Sequence, residues 1–209
     1  MFSGWQLGEH NEWCKVTNFD IATRITMLVH VPGISVSFRT TDALVEAVDL
    51  YATVSVLAGL DVPPTCPPDN QNIAFCTEGT SLVPVIIYVT RTKHDVTGMT
   101  LNWKTAVFSQ FPPPADHVVK NSEQPLLADI RIMGYTMKTA THRYTEWLAY
   151  DPVTFTHNML HVYARELYDH THDPEENLNL VDQAAFRYLV QELAHQLRGG
   201  WRKALPKGF

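Results

Sequence analysis

Gly4-Trp5-Gln6-Leu7-Gly8-Glu9-His10-Asn11-Glu12-Trp13-Cys14-Lys15 runs through Asn18-Phe19-Asp20-Ile21-Ala22-Thr23-Arg24 into Ile25-Thr26-Met27-Leu28-Val29-His30-Val31. The first part gathers two tryptophans, a histidine, two carboxylates and a lysine around Gly8, a residue free to turn sharply. The last part is apolar at nearly every position, which predicts a strand covered on both faces, as in a parallel sheet. Such a sheet needs several strands joined by crossover helices. One crossover helix follows and no comparable strand precedes, so residues 25–31 are expected to pair with neighbours these 209 residues do not supply. A polar cluster placed just before a buried strand is a common way to build a site on a rigid scaffold.

Beyond this stretch, Thr41 or Asp42 is expected to cap a helix over 42–60, with Leu44, Val48, Tyr51, Val54 and Ala58 on one face and Gly59 at its end. Asp61 to Asp69 is a proline-rich loop. Leu82 to Val89 reads as a strand confined to an edge by Pro84. Residues 89–104 are polar, with Arg91, Lys93, His94, Asp95, Gly98 and Lys104, and read as an exposed connection. From Ala106 the pattern turns antiparallel. A short strand spans 106–110, a hairpin pairs 130–139 with 143–150 across Ala140-Thr141-His142, and a further strand covers Arg165 to Tyr168. Asp182 is expected to cap a helix with Phe186, Leu189, Val190, Leu193 and Leu197 in one stripe, stopped at Gly199-Gly200. The division is then 1–88, a connection 89–104, and 105–209.

Apolar residues make up 45% of the chain, which indicates a globular protein. The net charge of −6 argues against a nucleic-acid surface. No apolar run approaches the roughly 18 residues of a membrane span, and Met1 to Trp5 lacks the form of a secretory signal. Cys66 and Cys76, beside Pro67 and Pro68, suit either one small closed loop or two reduced thiols; Cys14 reads as a packed thiol.

Gly4 to Lys15 resembles the block that sulfatases of the iduronate-2-sulfatase type, in the alkaline-phosphatase superfamily, carry after their second metal-binding Asp-His pair. There the block reads Asp-His-Gly-Trp-x-Leu-Gly-Glu-His-x-Glu-Trp-x-Lys; the Asp-His places are Phe2 and Ser3 here. Val31-Pro32-Gly33, Phe108-Ser109-Gln110-Phe111-Pro112, Ile132-Met133-Gly134-Tyr135, His142-Arg143-Tyr144-Thr145-Glu146-Trp147 and Glu166-Leu167-Tyr168-Asp169 followed by Asp173-Pro174-Glu175-Glu176-Asn177-Leu178 resemble later family motifs in the same order. The resemblance implies an α/β, alkaline-phosphatase-like sulfatase fold in its C-terminal portion: the edge of a parallel sheet, then an antiparallel α+β subdomain with a packed helix. It also implies a disulfide between Cys66 and Cys76, which would stabilise by about 2–3 kcal/mol in the chain-entropy model.

Sulfate-ester hydrolysis loads negative charge onto the sulfuryl oxygens, so a site needs fixed cations, a metal and an in-line nucleophile. In the family the nucleophile is a formylglycine made from Cys in Cys-x-Pro-Ser-Arg, calcium is held by aspartates and the Asp-His pair, and a lysine contacts the sulfate. Only the lysine carries over, as Lys15, the one catalytic and substrate-contacting candidate; a plain solvated lysine is the alternative. Trp5 and His10 are candidates for lining the sugar pocket, or for packing beneath it, as is Trp13. Glu9 and Glu12 either orient Lys15 or cap backbone amides. Cys66-Pro67-Pro68 lacks the Ser and Arg of the nucleophile motif. His157 and His161, spaced for one helix face, and His170 and His172 could be read as a zinc cluster, but the second pair belongs to the family ending, so no metal ligands are assigned.

The resemblance thus implies part of a lysosomal, calcium-dependent hydrolase acting on the 2-O-sulfate of iduronate in heparan and dermatan sulfate. Its partners would be the sulfated glycosaminoglycan and a missing N-terminal half, and this chain alone would be inactive. The alternatives are a non-catalytic remnant that binds sulfated glycan and another superfamily enzyme such as a choline-sulfatase-like one.

Overall fold

The computed structural model describes residues 4–68, 73–91, 101–113 and 125–206. They form two compact units, one from Met1–Met27 with Ala106–Lys203 and the other from Leu28–Thr105 with Ala204–Phe209. The N-terminal block therefore clusters with the antiparallel sheet, not with residues 28–88, and the units cut the chain differently from a division into 1–88 and 105–209.

The first unit is built on a four-stranded antiparallel sheet, β3 (Val107–Phe111), β4 (Ile132–Lys138), β5 (His142–Asp151) and β6 (Thr156–Asp169), in that spatial order; a two-stranded hairpin, β1 (Gln6–Leu7) and β2 (Trp13–Cys14), precedes it. The expected hairpin between β4 and β5 is present, closing Lys138 onto Arg143. β6 is far longer than the expected 165–168, because its outer half pairs Leu148 to Asp151 with exposed residues that carry no clear alternation. His157 and His161 therefore lie on a strand, not on a helix.

Side chains alternate across a strand, so the register assigns two faces. Met133, Met137, Tyr144, Leu148 and Leu167 pair on one face, each 6% exposed or less. Helix α4 (Arg187–Gly199) packs there through Leu193 and Leu197. Burying a leucine of this kind stabilises by about 1.5–3 kcal/mol. The helix begins after a 3-10 turn at Ala184–Phe186, with no side-chain cap, so Asp182 does not cap it. The opposite face carries Gly134, Thr136, Lys138, Arg143, Thr145, Glu166 and Tyr168. That polar face is covered by the N-terminal block: the Nδ2 of Asn18 donates to the carbonyls of Phe111 and Gly134 at 3.3 and 3.4 Å.

A short helix, α1 (Asp20–Thr23), precedes Arg24, and no strand forms at 25–31 or elsewhere between Arg24 and Val48 among the described residues. A strand exists only where another strand accepts its hydrogen bonds, and Leu28 stays 81% exposed. The helix expected over 42–60 shortens to α2 (Asp49–Leu57), without a cap from Thr41 or Asp42. Its buried side is Asp49, Ala52, Thr53 and Ser55, while Val48, Tyr51 and Val54 of the expected stripe face outward. The cause is Asp49: its carboxylate accepts from the amides of Glu46 and Thr80 and from Lys104, which turns the polar side of α2 inward. Residues 82–89, read as an edge strand, form helix α3 (Val83–Thr90) instead. Pro84 sits in its first turn, where the missing N–H costs nothing and the fixed φ favours a helix.

The far end of the expected connection is not exposed. Trp103 is buried and donates its Nε1–H to the carbonyl of Leu44 at 2.7 Å, and Lys104 is buried between Glu46 and Asp49. Residues 92–100, with Lys93, His94, Asp95 and Gly98, lie outside the described residues. Cys66 and Cys76 form the disulfide that the family resemblance implies, beside a bridge between Thr65 and Thr77.

Candidate functional site

The block begins where Gly4 donates its amide to the carbonyl of Ala22 at 2.9 Å. A Cβ at position 4 would lie 1.8 Å from the carbonyl oxygen of Ile21, so only glycine allows this approach. β1 then pairs with β2, Gln6 opposite Cys14 and Leu7 opposite Trp13. The turn between them relies on Gly8 at φ 120°, followed by a 3-10 turn at Glu9–Asn11. His10, Asn11 and Cys14 all take left-handed backbone conformations, at φ 57°, 60° and 71°. Three such residues in one short hairpin store strain of the kind that clusters at functional sites.

Each candidate side chain has a definite place. Trp5 and Trp13 stand 52% and 64% exposed on the hairpin. His10 lays its ring flat on Phe19, with centroids 3.8 Å apart and planes 6° from parallel. Glu9 caps the backbone: its Oε2 accepts the amide of Leu7 at 2.6 Å, and that hydrogen bond holds its carboxyl below the ordinary range. Lys15 is half-buried, with no hydrogen bond or ion pair to any described residue. A cation partly withdrawn from water, without a carboxylate of its own, is disposed to take an anion. Cys14 is a free, half-buried thiol.

Residues beneath the block were not legible as part of it. Arg143 lies with its guanidinium 4.8 Å from the Phe19 ring centroid and 4.7 Å from that of Tyr168. Glu176 accepts from Arg143 Nε at 2.6 Å, from His170 Nε2 at 2.7 Å and from the Asp20 amide at 2.8 Å. Lys138 pairs with the Asp20 carboxylate. Burial pushes the Glu176 carboxyl up, but the His170 hydrogen bond, the charge of Arg143 and the Asp20 amide outweigh it and hold it low.

The same residues can be set against known proteins. The chain is 34% identical over 215 aligned residues, 91% of its length, to iduronate 2-sulfatase of Mus musculus and equally to that of Homo sapiens. The chain belongs to the sulfatase family. It spans 39% of the length of these curated sulfatases. Among solved structures, a 2-O GAG sulfatase matches 97% of the chain with a TM-score of 0.62 at 20% identity, the chain covering 35% of that protein. A protein solved in complex with its substrate D-glucosamine-2-N,6-O-disulfate matches 95% with a TM-score of 0.59 at 20% identity, the chain covering 33% of it. At that identity these two show the sulfatase fold. No protein-family model matches the chain.

Sulfatases of this type are expected to need a metal. Among the described residues no three His, Cys, Asp or Glu side chains converge where they could hold one, so the residues here do not by themselves fit a calcium site. His170 and His172 are engaged instead by Glu176 and Asp169. Among the described residues no helix is long and apolar enough to cross a membrane.

Proposed function

We propose that this chain is the part of a sulfatase that supplies the sulfate-contacting lysine, Lys15, to a site completed by residues outside it. The observation that carries the reading is a half-buried Lys15, without a hydrogen bond or ion pair to any described residue, at the end of a strained hairpin, in a chain 34% identical to iduronate 2-sulfatase over nearly its whole length. As the S–O bond breaks, charge grows on the sulfuryl oxygens, and a fixed ammonium stabilises it more than it stabilises the ground state. Trp5 and His10, on the same hairpin, would line the sugar side. Calcium, held by residues elsewhere, would add Lewis-acid polarisation of the sulfate. The substrate we assign is the 2-O-sulfate of iduronate in heparan and dermatan sulfate, and the compartment is the lysosome.

The test is the full reading frame containing this region, expressed and offered a fluorogenic 2-sulfoiduronide and choline sulfate. Turnover of the sulfoiduronide is the expected result, together with none by residues 1–209 alone. Turnover of choline sulfate only would replace the assigned substrate, and binding of sulfated glycan without turnover would make the protein a non-catalytic remnant.

A further inference from the structure

We propose that Arg143 is a positioning residue for the candidate site: acting through Phe19, it fixes where His10, and with it the hairpin bearing Lys15, stands over the sheet. This deepens the reading of residues 4–15 as the sulfate-contacting block and rests on it.

The geometry forms one continuous chain of contacts. Arg143 projects from β5 on the polar face of the sheet, with its side chain 1% exposed. Every arm of its guanidinium is engaged: Nε with Glu176 at 2.6 Å, Nη1 with Thr145 Oγ1 at 2.8 Å, Nη2 with Glu166 at 3.2 Å. Its plane is therefore locked from the edges, and the rings of Phe19 and Tyr168 both lie against it, with centroids 4.8 and 4.7 Å away. Tyr168 also meets Phe19 edge-on at 5.9 Å. Phe19 in turn carries His10 flat against its ring. Glu176 takes the Asp20 amide with its second carboxylate oxygen, so the same anion that orients Arg143 also anchors the residue following Phe19. Glu176 reaches this place from a left-handed backbone at φ 58°, strain that persists only where surrounding bonds determine it.

Only arginine satisfies this arrangement. A lysine keeps the charge but not the planar fork or the stacking face. Losing the plane frees Phe19 on one side, and among the described residues His10 has no ring partner besides Phe19. The segment that follows the hairpin is also tied down through Asn18, to Phe111 and Gly134, and through Asp20, to Lys138 and Glu176, but none of these contacts touches the ring that carries His10.

The experiment is NMR of histidine-labelled 1–209 as parent, Arg143→Lys, Phe19→Leu and Tyr168→Leu. In the parent, the His10 ring protons should be shifted upfield by the Phe19 ring. Phe19→Leu should abolish the shift, and Arg143→Lys should remove most of it, while the Trp103 indole signal of the second unit stays in place. A folded Arg143→Lys protein with an unmoved His10 signal overturns the proposal, as does a Phe19→Leu protein with an unmoved one. If Arg143→Lys does not fold, Tyr168→Leu decides, since it removes the ring that shares the guanidinium with Phe19 and leaves every ion pair of Arg143 intact: movement of His10 supports the proposal and its absence overturns it. The readout needs no turnover, so an inactive full-length protein would count against the proposed function and leave this inference standing.

Discussion

The side-chain nitrogen of Asn18 lies 3.4 Å from the carbonyl of Gly134, and a Cβ at position 134 would stand 2.6 Å from that nitrogen and 2.7 Å from the Trp147 ring. The glycine thus makes the landing place for the N-terminal block. Gly134→Ala should cost about 1–3 kcal/mol, the range for forcing a methyl group into a packed site. Urea unfolding of the two proteins checks this, and an unchanged midpoint would show that the block does not dock on β4.

Lys15 has no hydrogen bond or ion pair to a described residue to lose, so Lys15→Ala should leave the unfolding transition within about 0.5 kcal/mol of the parent, as surface substitutions do. In the complete enzyme the same change should lower kcat/KM by a factor on the order of 10²–10³, the loss expected for one oxyanion contact. Near-parental kinetics would return Lys15 to the status of a solvated lysine.

Glu176 ties stability to acid. Its carboxyl is held below the ordinary range in the folded chain, so its contribution is complete above the unfolded carboxylate value of roughly 4.3 and is lost as pH falls through the lower folded value. Glu146 behaves alike: burial raises it, and hydrogen bonds from Arg198, Arg165 and Tyr144 more than reverse that. Glu176→Gln leaves Arg143 buried with one charged partner fewer and should cost about 3–5 kcal/mol near neutrality. The gap between parent and variant should stay constant down to about pH 5 and narrow below about pH 4. A gap that widened on acidification would show that Glu176 is protonated in the folded state.

How much of this was visible in the sequence depends on the strand considered. The apolar face of the sheet was legible, because Met133, Met137, Tyr144 and Leu148 alternate with polar residues and the helix stripe of Leu193 and Leu197 matches them. The other face was not. Lys138, Arg143, Thr145 and Glu166 alternate as a solvated face would, and nothing local says that residues 4–24 cover them. Val83 to Thr90 was misread because β-branched residues argue for a strand, while Pro84 does its work only if the helix starts at that point. The stripe on α2 misled for the opposite reason: a buried ion pair chose the inward side over apolar area. Lys15, Trp5 and His10 are candidates that a motif suggests, whereas Phe19, Arg143 and Glu176 emerge only when distant segments meet.

The disulfide closes a short loop, Cys66 to Cys76, within the second unit. Reduction should destabilise that unit by about 2–3 kcal/mol, mainly by releasing the unfolded chain. Calorimetry with and without reductant, alongside Cys66→Ser/Cys76→Ser, should show one transition lowered. If the transition reported by Tyr144 and Leu167 of the first unit fell as well, the two units would not unfold independently.

Lys104 gives the sharpest contrast with Lys15. Its ammonium is 2.6 Å from Glu46 and 2.6 Å from Asp49, with its side chain 2% exposed and that of Asp49 fully buried. Asp49 in turn holds the amides of Glu46 and Thr80, so the cation neutralises the carboxylate that organises the start of α2. Lys104→Met keeps the length of the side chain and removes the charge, leaving Asp49 uncompensated in a dry site; breaking such a pair from one side costs about 3–5 kcal/mol. Lys104→Met with Asp49→Asn should recover part of that loss, because the buried charge is then gone from both sides. The same burial predicts that native trypsin cuts at Arg91, the exposed residue that ends α3, and spares Lys104. Early cleavage at Lys104, or a Lys104→Met protein as stable as the parent, would place this lysine on the surface and remove the ion pair from the core of the second unit.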